Sequence, residues 1–414
     1  MTTPPPAPDI ERALTRTWRA EAGALHGTLL RLTGDLALAQ DALQDAAESA
    51  LRTWPDTGVP QNPAAWLATT ARRKAIDRMR RATTRAAKAD DLRRLADLRD
   101  PPAPPLVDDQ LPLLFACCHP ALGPDAQVAL TLRTVCGLTT PEIARAFLVP
   151  RPTLAQRLVR ARRALRGQRF PLPDAAELPA RLDAVLTTIY LVFNEGYAAT
   201  AGDDHIRREL CAEALRLARL TRALLPDEPE IDGLLALMLL HDARRDARLA
   251  PDGSLVLLSE QDRTRWRRPA IDEGLALIRA ALERRRPGPY QIQAAIAALH
   301  AEAAHPDATD WAQIEALYER LHRHRPDPVV ALNHAVAVAM HQGPAAALPL
   351  VDALAADGAL DHYPYLPATR ADLLRRLDRR ADAAAAYRRA LELTHNAAER
   401  RYLKRRLAEV TDGL

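Results

Sequence analysis

The residues best placed to do chemistry lie in one short stretch, RPTLAQRLVRARRALR, from Arg151 to Arg166. At helical spacing, Leu154, Leu158, Ala161 and Leu165 fall on one side and can be buried. Arg151, Thr153, Gln156, Arg157, Arg160 and Arg163 take the remaining surface. Arginine and glutamine are the side chains that bond base edges in a major groove, and further arginines hold phosphates. From Arg151 to Arg169 there are seven arginines and no acid. A merely solvated helix face usually mixes signs, so this run points to a nucleic-acid surface.

Other reactive side chains carry less. Cys117, Cys118 and His119 are adjacent, but neighbouring cysteines suit one tetrahedral metal poorly, and Cys136 and Cys211 add no metal-site spacing. These four thiols read as buried structural cysteines. The pair Asn194 and Glu195 in FNEGY has no histidine, serine or metal-ligand partner at useful spacing. His205, His241 and His300 stand alone. Neither a catalytic residue, nor a metal, nor a cofactor is expected.

These residues need elements to hold them. Thr139 and Glu142 have capping-box spacing, and Pro141 suits a first helical turn. A short helix with Ile143, Ala144 and Phe147 inward, a turn at Leu148-Val149-Pro150 and the arginine helix make a helix-turn-helix. Further upstream, Gly34-Asp35 ends one helix and caps the next, LALAQDALQDAAESALRTW, which Trp54-Pro55 stops. In it Asp41, Gln44, Asp45 and Glu48 share a face. Asn62-Pro63 opens a third helix, PAAWLATTARRKAIDRMRR, with Leu67, Ala71 and Ala75 toward a core. Arg72, Arg73, Lys74, Arg78, Arg80 and Arg81 form its cationic flank.

A chain of 414 residues has room for two to three domains. Apolar residues make up 48% but aromatics only 4%, so its cores must rest on leucine, alanine and valine. No convincing run alternates apolar and polar residues. The chain therefore reads as all-α. The net charge of +4 is unevenly placed: Trp66 to Lys88 has eight bases and one acid, Asp77, whereas Asp35 to Glu48 has four acids and no base. The N-terminus has no signal-peptide pattern, no apolar run spans a bilayer, and the cysteines imply no disulfide framework. A cytoplasmic protein without membrane contact is expected.

The expected organisation is a disordered tail over 1–9, a first helical domain over 10–88 and a proline-rich linker over 89–110. The helix-turn-helix domain follows over 111–168, then a linker over 169–178. A helical C-terminal domain of ten to twelve helices fills 179–414. Ala383, Tyr387 and Ala390 have the spacing of a tetratricopeptide second helix, and Ala335 to Leu354 reads as a similar pair about one ~34-residue repeat earlier.

The two basic elements together resemble a known family. GDLALAQDALQDA followed by WPDTGVPQNPAAWLATTARRKAIDRMRR is similar to region two of bacterial sigma factors. DAQVALTLRTVCGLTTPEIARAFLVPRPTLAQRLVRARRAL is similar to region four. The compact spacing resembles the extracytoplasmic-function class of the sigma-70 family. FNEGYAAT, TDWAQIEALYERL and ALNHAVAVA resemble its subgroup with a tetratricopeptide-like C-terminal extension. The resemblance implies that Asp41, Gln44, Asp45 and Glu48 dock on core RNA polymerase. It implies that Asn62, Arg72, Arg73, Lys74, Asp77, Arg78, Arg80 and Arg81 engage the minus-ten element of promoter DNA. The loop from Trp54 to Asn62 would hold a flipped base, with Trp54 and Trp66 as stacking platforms, although Trp66 also suits the core. The arginine helix would read the minus-thirty-five element. Arg73, Arg151 and His334 depart from the family pattern; the first two bear on promoter sequence.

The function expected is promoter recognition and transcription initiation, with phosphodiester chemistry left to the polymerase. The C-terminal domain would pack against the sigma domains and regulate in cis, with an unknown ligand or protein as a further partner. Two alternatives differ in class. One is a helix-turn-helix regulator with a tetratricopeptide-like sensor that never enters polymerase. The other is a helical scaffold or enzyme whose basic helices bind acidic partners.

Overall fold

Alanine, leucine and arginine recur throughout the chain, and all three enter helices at little cost. The computed structural model describes residues 7–83, 109–147, 149–166, 168, 170, 173, 174, 176–197, 208–324 and 326–412. These residues form 18 α-helices and no strand; an isolated antiparallel bridge joins Leu249 to Leu255. Contacts divide the chain into two units, Met1–Leu191 and Val192–Leu414.

In the first unit, α1 (Ala7–Thr33), α2 (Leu36–Thr57) and α3 (Pro63–Thr83) enclose a core that includes Leu25, Leu29, Leu43, Trp54, Leu67 and Ala71. Local chemistry sets the joints. Gly34 takes a φ of 65, and Asp35 accepts from the Leu38 amide at 3.1 Å. Asn62 caps α3 by accepting from the Ala65 amide at 3.0 Å. Helix α2 does not stop at Trp54-Pro55 but runs on to Thr57. A proline in the last turn forfeits only one helical bond. The stop is instead Gly58, at φ 78, whose amide donates to the Trp54 carbonyl at 2.9 Å. Of the expected tail, Ala7–Asp9 already belong to α1, and residues 1–6 lie outside the described residues. The expected linker falls outside them as well, except for Asp109 and Gln110.

Four more helices follow in this unit: α4 (Gln110–Cys117), α5 (Pro124–Thr134), α6 (Thr140–Ala146) and α7 (Arg151–Leu165). Helices α4 and α5 lie close against α1, and α7 lies against α2 and α5. A Cβ on Gly27 would stand 2.3 Å from the Asp109 carbonyl oxygen, and one on Gly23 would stand 2.9 Å from that of Val135. Only glycine permits that approach. Polar bonds fix the junction: the buried Asp109 accepts from Arg31 Nε at 2.7 Å and Thr28 Oγ1 at 3.0 Å, and Gln40 donates to Thr134 Oγ1 at 2.7 Å. The unit ends within α8 (Leu178–Tyr197), where Arg181 donates to the Phe115 carbonyl at 2.8 Å and the Cys118 thiol meets Thr188 at 3.5 Å. The division therefore comes later than residue 179, inside this helix.

The second unit continues with α9 (Arg208–Leu224), α10 (Pro229–Asp242), α11 (Arg268–Glu283), α12 (Pro289–Glu302) and α13 (Trp311–His324). It ends with α14 (Pro328–His341), α15 (Pro344–Asp357), α16 (Tyr365–Arg376), α17 (Arg380–Leu393) and α18 (Ala397–Thr411). Proline in the first turn opens several of them, where its missing N–H costs nothing. Helix α10 is apolar nearly all round and is buried by α11 and α12. From α13 onward each helix packs on the next. Ala383, Tyr387 and Ala390 are all buried on α17, on the face that their spacing predicts.

Candidate nucleic-acid interface

Helix α7 keeps its two sides apart. Leu154, Leu158, Ala161 and Leu165 are buried, whereas Arg151, Thr153, Gln156, Arg160 and Arg163 are exposed. Thr153, Gln156, Arg160 and Arg163 follow each other at i, i+3, i+7 and i+10, so they form one row. The preceding helix starts with the expected capping box: the Thr139 amide donates to Glu142 at 2.7 Å, and the Glu142 amide donates to Thr139 Oγ1 at 3.4 Å. Glu142 also pairs with Arg19 of α1.

Two arginines of α7 leave the row. Arg157 is half-buried and reaches Asp125, in the first turn of α5, at 3.2 Å. Arg162 turns inward and comes within 3.9 Å of Asp41 on α2. Burial pulls its guanidinium below the ordinary value, and Asp41 opposes that shift.

Helix α3 is basic in a different way. Arg73, Asp77, Arg80 and Arg81 are exposed; Arg72 and Lys74 are partly covered. Arg78 folds back onto α2, donating to Asp41 at 3.1 Å and to Asp45 at 2.8 Å. The bond to Asp45 raises its pKa further. The expected docking face is thereby split. Asp41 and Asp45 already hold Arg78, while Gln44 and Glu48 are exposed and bond each other at 3.3 Å.

Trp54 is 0% exposed, so it cannot be a stacking platform for a base. It lies edge-on to Trp66, ring centroids 5.5 Å apart, and Trp66 is partly buried against the same core. Asn62 is exposed, its side-chain oxygen committed to the α3 cap. All four cysteines are free and buried, and burial pushes the Cys117 thiol well up. In FNEGY, Phe193 and Glu195 are buried, and a Cβ on Gly196 would meet Cys211 at 2.7 Å. Arg248 donates to the Tyr197 carbonyl and lies over its ring at 3.7 Å. These contacts are structural. His241 and His300 are held neutral by burial, His300 pulled down to about 4. His205 lies outside the described residues.

Sequence reasoning missed the junction inside the first unit: Gly23, Gly27, Asp109, Gln40, Thr134 and the inward Arg162. One signal was available, since two glycines one turn apart in an unbroken helical pattern mark a close backbone approach. No helix among the described residues is long and apolar enough to cross a membrane.

Comparison with known proteins follows the same divisions. Residues 17–85 match the family Sigma-70 region 2, and residues 113–165 match Sigma-70, region 4. Residues 181–282 match a family of unknown function, DUF6596. An uncharacterized protein of Rhizobium meliloti is 47% identical over 391 residues, covering 92% of each chain. A probable ECF RNA polymerase sigma factor, SigI, of Mycobacterium tuberculosis is 27% identical over 163 residues, 38% of this chain and 56% of that protein. No solved structure matches the chain.

Proposed function

Because the chain belongs to the extracytoplasmic-function class of sigma-70 factors, with a C-terminal extension, we propose that it reads two promoter elements from two separate surfaces and that its extension governs this in cis. The sigma role itself brings RNA polymerase and promoter DNA as partners. The observation that carries the finer reading is the single exposed row Thr153, Gln156, Arg160 and Arg163, opposite a buried leucine seam. That row reads the upstream element in the major groove. The exposed part of α3, with Asn62, Arg73, Asp77, Arg80 and Arg81 and the flanking Arg72 and Lys74, engages the downstream element. Gln44 and Glu48 begin the contact with polymerase; Asp41 and Asp45 join once Arg78 and Arg162 let go.

Distance supports such a release. Elements about 25 base pairs apart are separated by roughly 85 Å along the helix axis. A packed unit of this size has a radius of gyration of about 16 Å. The junction of α1 and α2 with α4, α5 and α7 therefore opens before both elements are bound at once. An extension can set that equilibrium only by favouring one arrangement over the other.

Run-off transcription with purified core polymerase tests the proposal, with core affinity measured alongside. Full-length protein is compared with two truncations. A cut after Gly167 also removes Arg181 and Thr188 from the first unit, so a cut after Tyr197 serves as the informative one. We expect the shorter chains to lose promoter-dependent transcription. If transcription and core affinity are both unchanged after the Tyr197 cut, regulation in cis is wrong.

A further inference from the structure

The second unit holds a group of side chains that the sigma role does not use. Glu315 and Glu319 lie one turn apart on α13, and His334 lies on the neighbouring α14. One ligand atom from each lies within 4.8 Å of the other two. Nε2 of His334 is buried and has no hydrogen-bond partner. Among the described residues, no arginine or lysine forms an ion pair with either glutamate; the one pair there is to His341. Glu315 is only 13% exposed and is held from both sides. His341 Nδ1 lies 2.8 Å from one of its oxygens, and Gln342 Nε2 donates to the other at 2.6 Å.

We propose that Glu315, Glu319 and His334 bind a divalent first-row metal ion of the zinc class, with His341 and Gln342 orienting Glu315 from behind. Glu315 is largely covered and Glu319 is exposed beside it; neither carboxylate has an arginine or lysine partner among the described residues, and a divalent ion would offset their mutual repulsion. One imidazole nitrogen beside two carboxylate oxygens suits zinc and its neighbours, whereas calcium and magnesium prefer oxygen alone. Ligands about 2.1 Å from a tetrahedral ion are roughly 3.4 Å apart. The three atoms must therefore draw together by about an ångström, which side-chain rotation supplies. Water completes the coordination. His341 and Gln342 stand where outer partners fix a ligating carboxylate, and each carboxylate oxygen keeps a second lone pair for the ion. A bound ion ties α13 to α14.

Zinc alone is the probe. Full-length protein freed of metal by a chelator is titrated with zinc by calorimetry, and thermal melting is followed with and without the ion. One equivalent is expected to bind and to raise the melting temperature. Cobalt at the same site should give the visible absorption of a tetrahedral nitrogen and oxygen set. His334→Arg replaces the ligand by a guanidinium that can pair with both glutamates, so the metal-free melting temperature should hold while the zinc equivalent is lost. Glu315→Gln should also lose it, and His341→Phe should weaken it by about tenfold to a hundredfold. If wild-type protein takes up no stoichiometric zinc, the three side chains are only neighbours across α13 and α14 and the proposal fails. It fails equally if His334→Arg binds zinc as tightly as the wild type, because the ion then sits elsewhere. Neither readout depends on polymerase or DNA.

Discussion

Helices α3 and α7 are both basic and amphipathic, yet they spend their arginines differently. On α7 the row from Thr153 to Arg163 faces away from the leucine seam and stays exposed, and only Arg157 and Arg162 are drawn aside. On α3, Arg78 is turned back to neutralise Asp41 and Asp45, the acids that the family resemblance assigns to docking. The two helices meet at α2, because Arg162 approaches the same Asp41. Cation density therefore tells which helix is basic, but it does not tell which cations the fold has already used. An arginine near the edge of a buried stripe can reach either way, and the nearest carboxylate decides.

The largest effect that sharpens this contrast comes from pH. His26 of α1 is buried, and its neighbours on the inner side include Arg133 of α5 and Arg162 of α7. Burial first, and then those cations, lower its pKa to about 4, against 6.5 in the unfolded chain. The folded value is the lower one, so the stability is complete above pH 6.5 and is lost as pH falls from there toward 4. The loss should reach roughly 3 kcal/mol. His241 and His300 of the second unit drift the same way. The test is therefore a difference: melting curves from pH 7 to 4.5 for wild type and His26→Leu. The variant should show the shallower slope in the first unit. Parallel slopes would mean that His26 accepts a proton in place and that the inner face of α7 is not dry.

Next in size is promoter reading. Gln156→Ala and Arg160→Ala should each cost about 1–3 kcal/mol of discrimination for the upstream element. Arg157→Ala should cost less, because its guanidinium is engaged with Asp125 at 3.2 Å. Arg163→Ala, as a phosphate contact, should weaken all sequences alike and lower the salt slope. Binding assays at several salt concentrations separate these cases. An Arg157→Ala loss as large as that of Arg160→Ala would show that Arg157 leaves Asp125 on DNA and that the row includes more than Thr153, Gln156, Arg160 and Arg163.

The smallest expected effect separates the two halves of the acidic face. Glu48→Arg should weaken core polymerase binding by about tenfold, roughly 1.4 kcal/mol, at an unchanged melting temperature. Asp45→Arg should weaken binding too, but it also sets a cation against Arg78 and should lower stability by about 1 kcal/mol. Affinity and melting measured on the same preparations check both. If Asp45→Arg melts like the wild type, Asp41 alone suffices to hold Arg78, and the double variant Asp41→Asn/Asp45→Asn decides whether the contrast between α3 and α7 stands.

Much of this was legible in the residues. Periodicity, capping pairs and glycine stops placed the helices, because each depends on neighbours within about four positions. Thr139 with Glu142, Gly34 with Asp35, and Asn62 with Pro63 are all where local chemistry puts them. Pro55 was misread because a proline breaks a helix interior but is tolerated in a last turn. The outward row of α7 was legible too, since a buried leucine seam fixes the opposite face.

What tertiary structure alone decided involves partners far apart in the chain. Asp41 meets Arg78 and Arg162, Gly27 meets Asp109, and Gln40 meets Thr134. Trp54 looks like a stacking platform in a loop-flanking position but is sealed inside the core. Glu315, Glu319 and His334 have no recognisable motif, because the group exists only once α13 lies against α14. Sequence pattern fixes which face of a helix is dry, since that follows from a period of 3.6 residues. It does not fix which charge meets which, because that depends on contacts the period does not encode.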